Sequence, residues 1–138
     1  MREPVLLASG QDLEPRSIGP VTQTDIVKFA GAGGDFNPLH HDPGYAVRAG
    51  LPGVISMGQM QAGMLAAWVA DLVHVEHLLG FSVRFVSPLQ IGETLTLTGE
   101  VDNVRDTGES SVAELSLSAT AGDRVVVSGR ARVRVSSS

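Results

Sequence analysis

The sequence predicts an α+β domain, a curved antiparallel sheet wrapped around one long central helix. Three observations carry that expectation. From about residue 80 the chain falls into four segments that alternate apolar and polar residues at period two. Just before them, apolar residues recur at helical spacing from Met60 to Leu72. The length, 138 residues, suits a single domain spanning 1–138, whose core buries about two thirds of the unfolded surface.

The first helical signal runs from Thr24 to about Ala32. Thr22 or Thr24 is its cap, and Asp25 stands where the helix dipole favours negative charge. Gly31, Gly33 and Gly34 are expected to end it. Then comes Asp35-Phe36-Asn37-Pro38-Leu39-His40-His41-Asp42-Pro43, where two prolines bar regular helix and push Asn37 and Asp42 toward extended backbone. This segment reads as an ordered loop. The long helix is expected to start at Ser56, because Ser56 and Gln59 have the S-x-x-Q spacing of a capping box ahead of an apolar run. Met60, Met64, Trp68 and Leu72 recur every four residues, with Leu65 and Val69 beside them and Ala62, Ala66 and Ala67 widening the face. Such a helix has to be wrapped, not merely supported.

The strands supply the wrapping. Phe81, Val83 and Phe85 share one face, as do Leu95, Leu97 and Val101 in the next segment. Ala113, Leu115, Leu117 and Ala119 follow, and then Val125, Val127, Ala131, Val133 and Val135. Thr94, Thr96, Thr98, Ser116, Ser118, Arg130, Arg132 and Arg134 occupy the opposite faces, which gives one buried and one wetter side. Ser87-Pro88, Asp106-Thr107-Gly108 and Gly122-Asp123 are short enough breaks for hairpins.

Composition excludes several classes. Ten Lys and Arg against 15 Asp and Glu leave a net charge of −5, so nothing electrostatic favours nucleic acid. Without cysteine there are no disulfides, thiolate metal sites or cysteine nucleophile, which fits a reducing cytoplasm. Ala49 to Ala70 is uncharged and about the length of a membrane span, but it holds Pro52, four glycines, Ser56, Gln59 and Gln61, and reads as a loop and a buried helix. Met1-Arg2-Glu3-Pro4 lacks the basic-then-apolar layout of a signal peptide, so a cytoplasmic protein with no membrane partner is expected.

The run Gly34-Asp35-Phe36-Asn37-Pro38-Leu39-His40, led in by Asp25-Ile26-Val27-Lys28-Phe29-Ala30-Gly31, resembles the hydratase motif G-D-x-N-P-(L/I/V)-H. That motif belongs to the MaoC-like (R)-specific enoyl-thioester hydratases and 3-hydroxyacyl-thioester dehydratases. Gly50-Leu51-Pro52-Gly53-Val54-Ile55, Arg84-Phe85-Val86-Ser87-Pro88-Leu89 and Gly92-Glu93-Thr94-Leu95 are similar to later family segments, so the resemblance covers roughly residues 15 to 135. It implies the hot-dog fold, normally dimerised. It also implies a hydro-lyase of fatty acid metabolism acting on acyl-CoA or acyl carrier protein thioesters, with no cofactor and no metal.

Hydration of a trans-2-enoyl thioester requires water to lose a proton as it attacks C3, C2 to gain one, and charge on the thioester oxygen to be stabilised. If they match the family pair, Asp35 and His40 hold one water, with the division of acid and base roles left open. Gly58 is the expected donor to the thioester oxygen, because a glycine N–H near a helix N-terminus admits close approach. Asn37, Tyr45, Ser56, Met57, Gln59 and Met60 are the expected substrate-side residues, Asn37 chiefly through a turn of its own. The family commonly shows A-H-G-M where this chain has Ser56-Met57-Gly58-Gln59, a departure that bears on the acyl pocket.

Other readings are weaker. A non-catalytic subunit of a hetero-oligomer would not need Asp35 and His40 together, and a thioesterase would carry a carboxylate on or near the long helix, where Ser56 to Ala70 has none. His41 and Asp42 suggest a metal, but adjacent histidines point apart. Gly31-Ala32-Gly33-Gly34 follows a helix and not a strand, so it fails as a dinucleotide fingerprint. Arg130, Arg132 and Arg134 read as a solvated or interface face before they read as a phosphate contact, and His74 and His77 lie near the end of the long helix. A lone half-barrel would expose sheet edge and apolar surface, so a homodimer is expected.

Overall fold

In the computed structural model, which describes residues 1–137, the first helix starts where side chains can satisfy its free N–H groups. Thr22 Oγ1 accepts from Asp25 N at 3.1 Å, while Asp25 Oδ2 accepts from Thr22 N at 2.9 Å. This reciprocal capping box opens α1 (Gln23–Gly33). Gly31 and Gly33 lie inside the helix. Only Gly34, at φ +71°, ends it, folding its N–H back to Ala30 O.

After a turn of 3-10 helix at Pro38–His40, a second helix, α2 (Pro43–Arg48), starts at the last residue of the segment read as loop and runs through residues to which the sequence reading gave no element. Its causes are local. Asp42 is extended, its Oδ1 accepts from Tyr45 N at 3.1 Å, and Pro43 sits in the first turn, where a missing N–H costs nothing.

The central helix, α3 (Gly58–Val73), starts one residue later than expected, with Met57 and not Ser56 at the cap, and the capping box at Ser56 and Gln59 does not form. Ser56 N is bonded to Leu89 O at 2.8 Å, beside a bridge between Ile55 and Gln90, which keeps residue 56 in extended chain. Its hydroxyl reaches Gln61 Oε1 at 2.7 Å and not the N–H three residues on. Met60, Leu65, Trp68, Val69 and Val73 are buried. Met64 and Leu72 are partly so, and Ala67 faces solvent, so the apolar face is narrower than its alanines suggest. Beside it an apolar groove of about 570 Å³ runs between α1 and α3.

The sheet contains β1 (Arg16–Ile18), β2 (Leu78–Phe85), β3 (Leu95–Asp106), β4 (Ser111–Ala121) and β5 (Arg124–Val135), all antiparallel, in the order β1-β3-β4-β5-β2. The expected hairpins join β3 to β4 and β4 to β5, with Gly108 and Gly122 supplying positive φ. The third does not: β2 pairs with β5, and residues 86–94 cross to the other side of the sheet instead of turning back at Ser87-Pro88. Their backbone groups are used on other elements. Val86 N and Ser87 N donate to Val126 O, Leu89 O takes Ser56 N, and Gly92 N donates to Val21 O. This link therefore ties the starts of α1, α3 and β5 together. A register shift between Ala119 and Thr120 exposes Val125 and buries Val126, correcting the alternation expected there.

Candidate active site

The loop after α1 is built from successive side-chain turns. Asp35 Oδ1 accepts from Asn37 N at 3.3 Å, and Asn37 Oδ1 accepts from Leu39 N at 3.0 Å. These bonds bring the chain round so that His40, whose side chain is only 9% exposed, faces Asp35, whose side chain is 44% exposed. His40 Nε2 and Asp35 Oδ2 stand 3.4 Å apart. Gln23 Nε2 donates to His40 O at 2.8 Å, fixing the loop to α1.

The other imidazole nitrogen decides the chemistry. His40 Nδ1 lies 2.8 Å from Ile55 O, and a carbonyl only accepts, so Nδ1 carries a hydrogen and donates it. In the neutral ring Nε2 is then bare and faces a carboxylate oxygen. Two acceptors 3.4 Å apart form no hydrogen bond with each other, but both can accept from one small donor.

Asp35, His40, Ser56, Met57, Gly58 and Gln59 line one cleft of about 460 Å³. Met57 caps α3 without a side-chain bond, and its first turn holds no acidic residue, so no carboxylate of its own neutralises the helix N-terminus. Gly58 lets the Phe85 ring pack close to the helix start. A Cβ on it would lie 2.9 Å from the Phe85 ring.

Asn37, Tyr45 and Met60 do not line this cleft. Asn37 uses its oxygen in the turn, Tyr45 lies half-exposed on α2, and Met60 faces the groove between α1 and α3. Conversely, Gln61, Phe85, Val126 and Val127 line the cleft without having been singled out. Gln61 stands three residues after Gly58, a spacing that shares a helix face, which was the available signal.

Several of the remaining candidates have partners elsewhere, whereas the buried His74 Nδ1 has none. His41 Nε2 approaches Phe36 O at 3.4 Å, Asp42 caps α2, and among the described residues no three His, Cys, Asp or Glu side chains gather as metal ligands. Arg130 pairs with Asp102 at 3.6 Å and Arg132 with Glu114 at 2.9 Å. His77 Nε2 lies 2.6 Å from Arg2 O, next to a bidentate Arg2–Glu76 pair that holds the Glu76 carboxyl well below its ordinary range. No helix among the described residues is long and apolar enough to cross a membrane.

Residues 6–122 match the family model described as MaoC like domain. An (R)-specific enoyl-CoA hydratase of Rhodospirillum rubrum is 28% identical over 121 residues, covering 83% of this chain and 80% of that protein. A 3-hydroxybutyryl-CoA dehydratase of Methylorubrum extorquens is 29% identical, covering 83% of this chain and 73% of the relative. Among solved structures, the (R)-hydratase from A. caviae involved in PHA biosynthesis superposes with a TM-score of 0.80 at 27% identity, over 94% of this chain and 97% of that one.

Proposed function

Because this chain belongs to the MaoC-like domain family, we propose that it is a hydro-lyase that reversibly hydrates trans-2-enoyl thioesters and dehydrates (R)-3-hydroxyacyl thioesters, carried by coenzyme A or acyl carrier protein. The observation that carries this reading is the 3.4 Å approach of His40 Nε2 to Asp35 Oδ2, with Nδ1 already committed to Ile55 O. One water between them donates a hydrogen to each, which aims an oxygen lone pair away from both, toward the cleft.

In the hydration direction that oxygen attacks C3, and one of the pair takes the released proton. The C2–C3 π electrons move toward the thioester, whose oxygen accepts from the Gly58 N–H at the positive end of α3. A proton returned to C2 completes the net addition of water, and the enzyme ends as it began. No cofactor enters the balance. The open edge of β2, with exposed Leu79 and Phe85 along it, supports the homodimer.

The test is loss of enoyl absorbance from crotonyl-CoA by the purified chain. Asp35→Asn and His40→Ala should each lower kcat by about 10²- to 10⁴-fold while melting temperature stays within a few degrees. Release of free thiol instead of hydration would replace this reading by a thioesterase, and wild-type rates in both variants would end it.

A further inference from the structure

Gln61 lies in the first turns of α3 on the same face as Gly58 and is 1% exposed. Ser56 Oγ donates to its Oε1 at 2.7 Å. That bond orients the carboxamide: with the oxygen turned to Ser56, the NH₂ group is turned away from it, on a residue that lines the cleft with Asp35 and His40. Among the described residues none accepts a hydrogen bond from that nitrogen. The nitrogen is not among the buried side-chain atoms left without a partner, which are His74 Nδ1 and His77 Nδ1, so it opens on the cleft, where a ligand that displaces its water has to offer an acceptor in return.

The surroundings sharpen the point. Phe85, Val126 and Val127 form apolar parts of the same wall, so the Gln61 nitrogen is a directional donor set among hydrocarbon, the pattern by which pockets fix orientation and select ligands. With the thioester oxygen at Gly58 N–H and C3 beside Asp35 and His40, Gln61 is three residues further along α3, an axial rise of about 4.5 Å. An acyl chain that follows α3 inward from Gly58 meets that nitrogen past the reacting carbons.

Resting on the hydration reading of this cleft, we infer that Gln61 determines specificity by donating a hydrogen bond to an oxygen on the acyl chain beyond C3. The substrate class is then an enoyl thioester bearing a keto, hydroxyl or ether oxygen, not a plain alkyl chain. An alkyl substrate leaves the donor unpaired, and sites built around a polar partner discriminate strongly against analogues lacking it.

The experiment compares isosteric pairs of coenzyme A thioesters. These are trans-2-hexenoyl against trans-4-methoxy-2-butenoyl, and trans-2-heptenoyl against trans-5-methoxy-2-pentenoyl, where an ether oxygen replaces one methylene. Wild type is measured beside Gln61→Glu, which keeps an acceptor for Ser56 but loses the donor, and Gln61→Leu. Intrinsic reactivity cancels when the ether-to-alkyl ratio of kcat/KM is compared between enzymes. For at least one pair that ratio should fall by about tenfold or more in both variants. An unchanged ratio for both pairs in folded Gln61→Glu overturns the inference and leaves the hydratase reading intact. Calorimetric Kd values for the saturated counterparts give a readout without turnover. If wild type binds the ether ligand more tightly, Gln61→Glu abolishes the preference, and no thioester is hydrated, then the hydratase reading falls while the role of Gln61 stands. Should Gln61→Leu fail to fold, Gln61→Glu decides alone.

Discussion

The two longer helices begin in opposite ways, and the contrast separates what stabilises this chain from what it has available for chemistry. At α1, Thr22 and Asp25 satisfy each other's backbone N–H groups across a surface turn. At α3, no side chain caps Met57, no carboxylate lies in the first turn, and Ser56, which by spacing should have been the cap, is bonded to Gln61. A capped N-terminus contributes stability and is closed to ligands. An uncapped one facing a cleft keeps its N–H groups and its partial positive charge for an incoming oxygen.

The change that should most strongly break this contrast is at Gly58. Gly58→Ala places a methyl 2.9 Å from the ring of Phe85, a half-exposed residue able to swing aside, so stability should change little. The displaced ring and the new methyl both crowd the approach to the amide, and kcat/KM for crotonyl-CoA should fall by at least about tenfold. Adding Phe85→Ala should recover part of that loss. Equal losses in the single and double variants would mean that the ring contact is irrelevant.

Next in size is Ser56→Ala. If Ser56 were a cap, its loss would resemble the loss of Thr22. Because its hydroxyl instead satisfies the buried Oε1 of Gln61, removal strands that oxygen and should cost about 1–3 kcal/mol in chemical denaturation. Thr22→Ala removes an exposed cap and should cost about 1 kcal/mol while leaving turnover unchanged. A larger loss for Thr22→Ala than for Ser56→Ala would reverse the roles assigned here.

The same contrast explains what could be read from the amino acids. The cap of α1 could be narrowed to Thr22 or Thr24 because its partners lie within four residues, and the β3–β4 and β4–β5 hairpins were legible, each specified by its own turn glycine. The start of α3 was not, because Ser56 is held by Leu89, more than 30 residues away, and no local pattern reports that bond. The pairing of β2 with β5 is hidden for the same reason. At the site, Asp35 and His40 were legible as a spaced motif, and Gly58 as a small residue near a helix start. Neighbours in sequence were a poorer guide: Met60 lines the groove between α1 and α3, whereas Gln61 and Phe85, which read as helix interior and strand face, border the cleft.

The smallest expected effect concerns acid. The backbone N–H of Thr22, followed by its hydroxyl, holds the Asp25 carboxyl below its ordinary value of 3.8, so the carboxylate binds its proton less readily folded than unfolded. The stabilisation is therefore fully present above that value and disappears as pH falls through the lower folded one. Melting temperatures of wild type and Asp25→Ala should differ by a constant amount from pH 7 to about 5 and converge below about pH 4. Asp25 is exposed, so the difference should also shrink with added salt. Asp25 caps α1 and does not line the cleft at the start of α3, so Asp25→Ala should remove this acid-dependent stabilisation without altering the pH dependence of hydration. A shifted pH–rate profile in that variant would show that the two helix starts are coupled, and the division drawn between them would not hold.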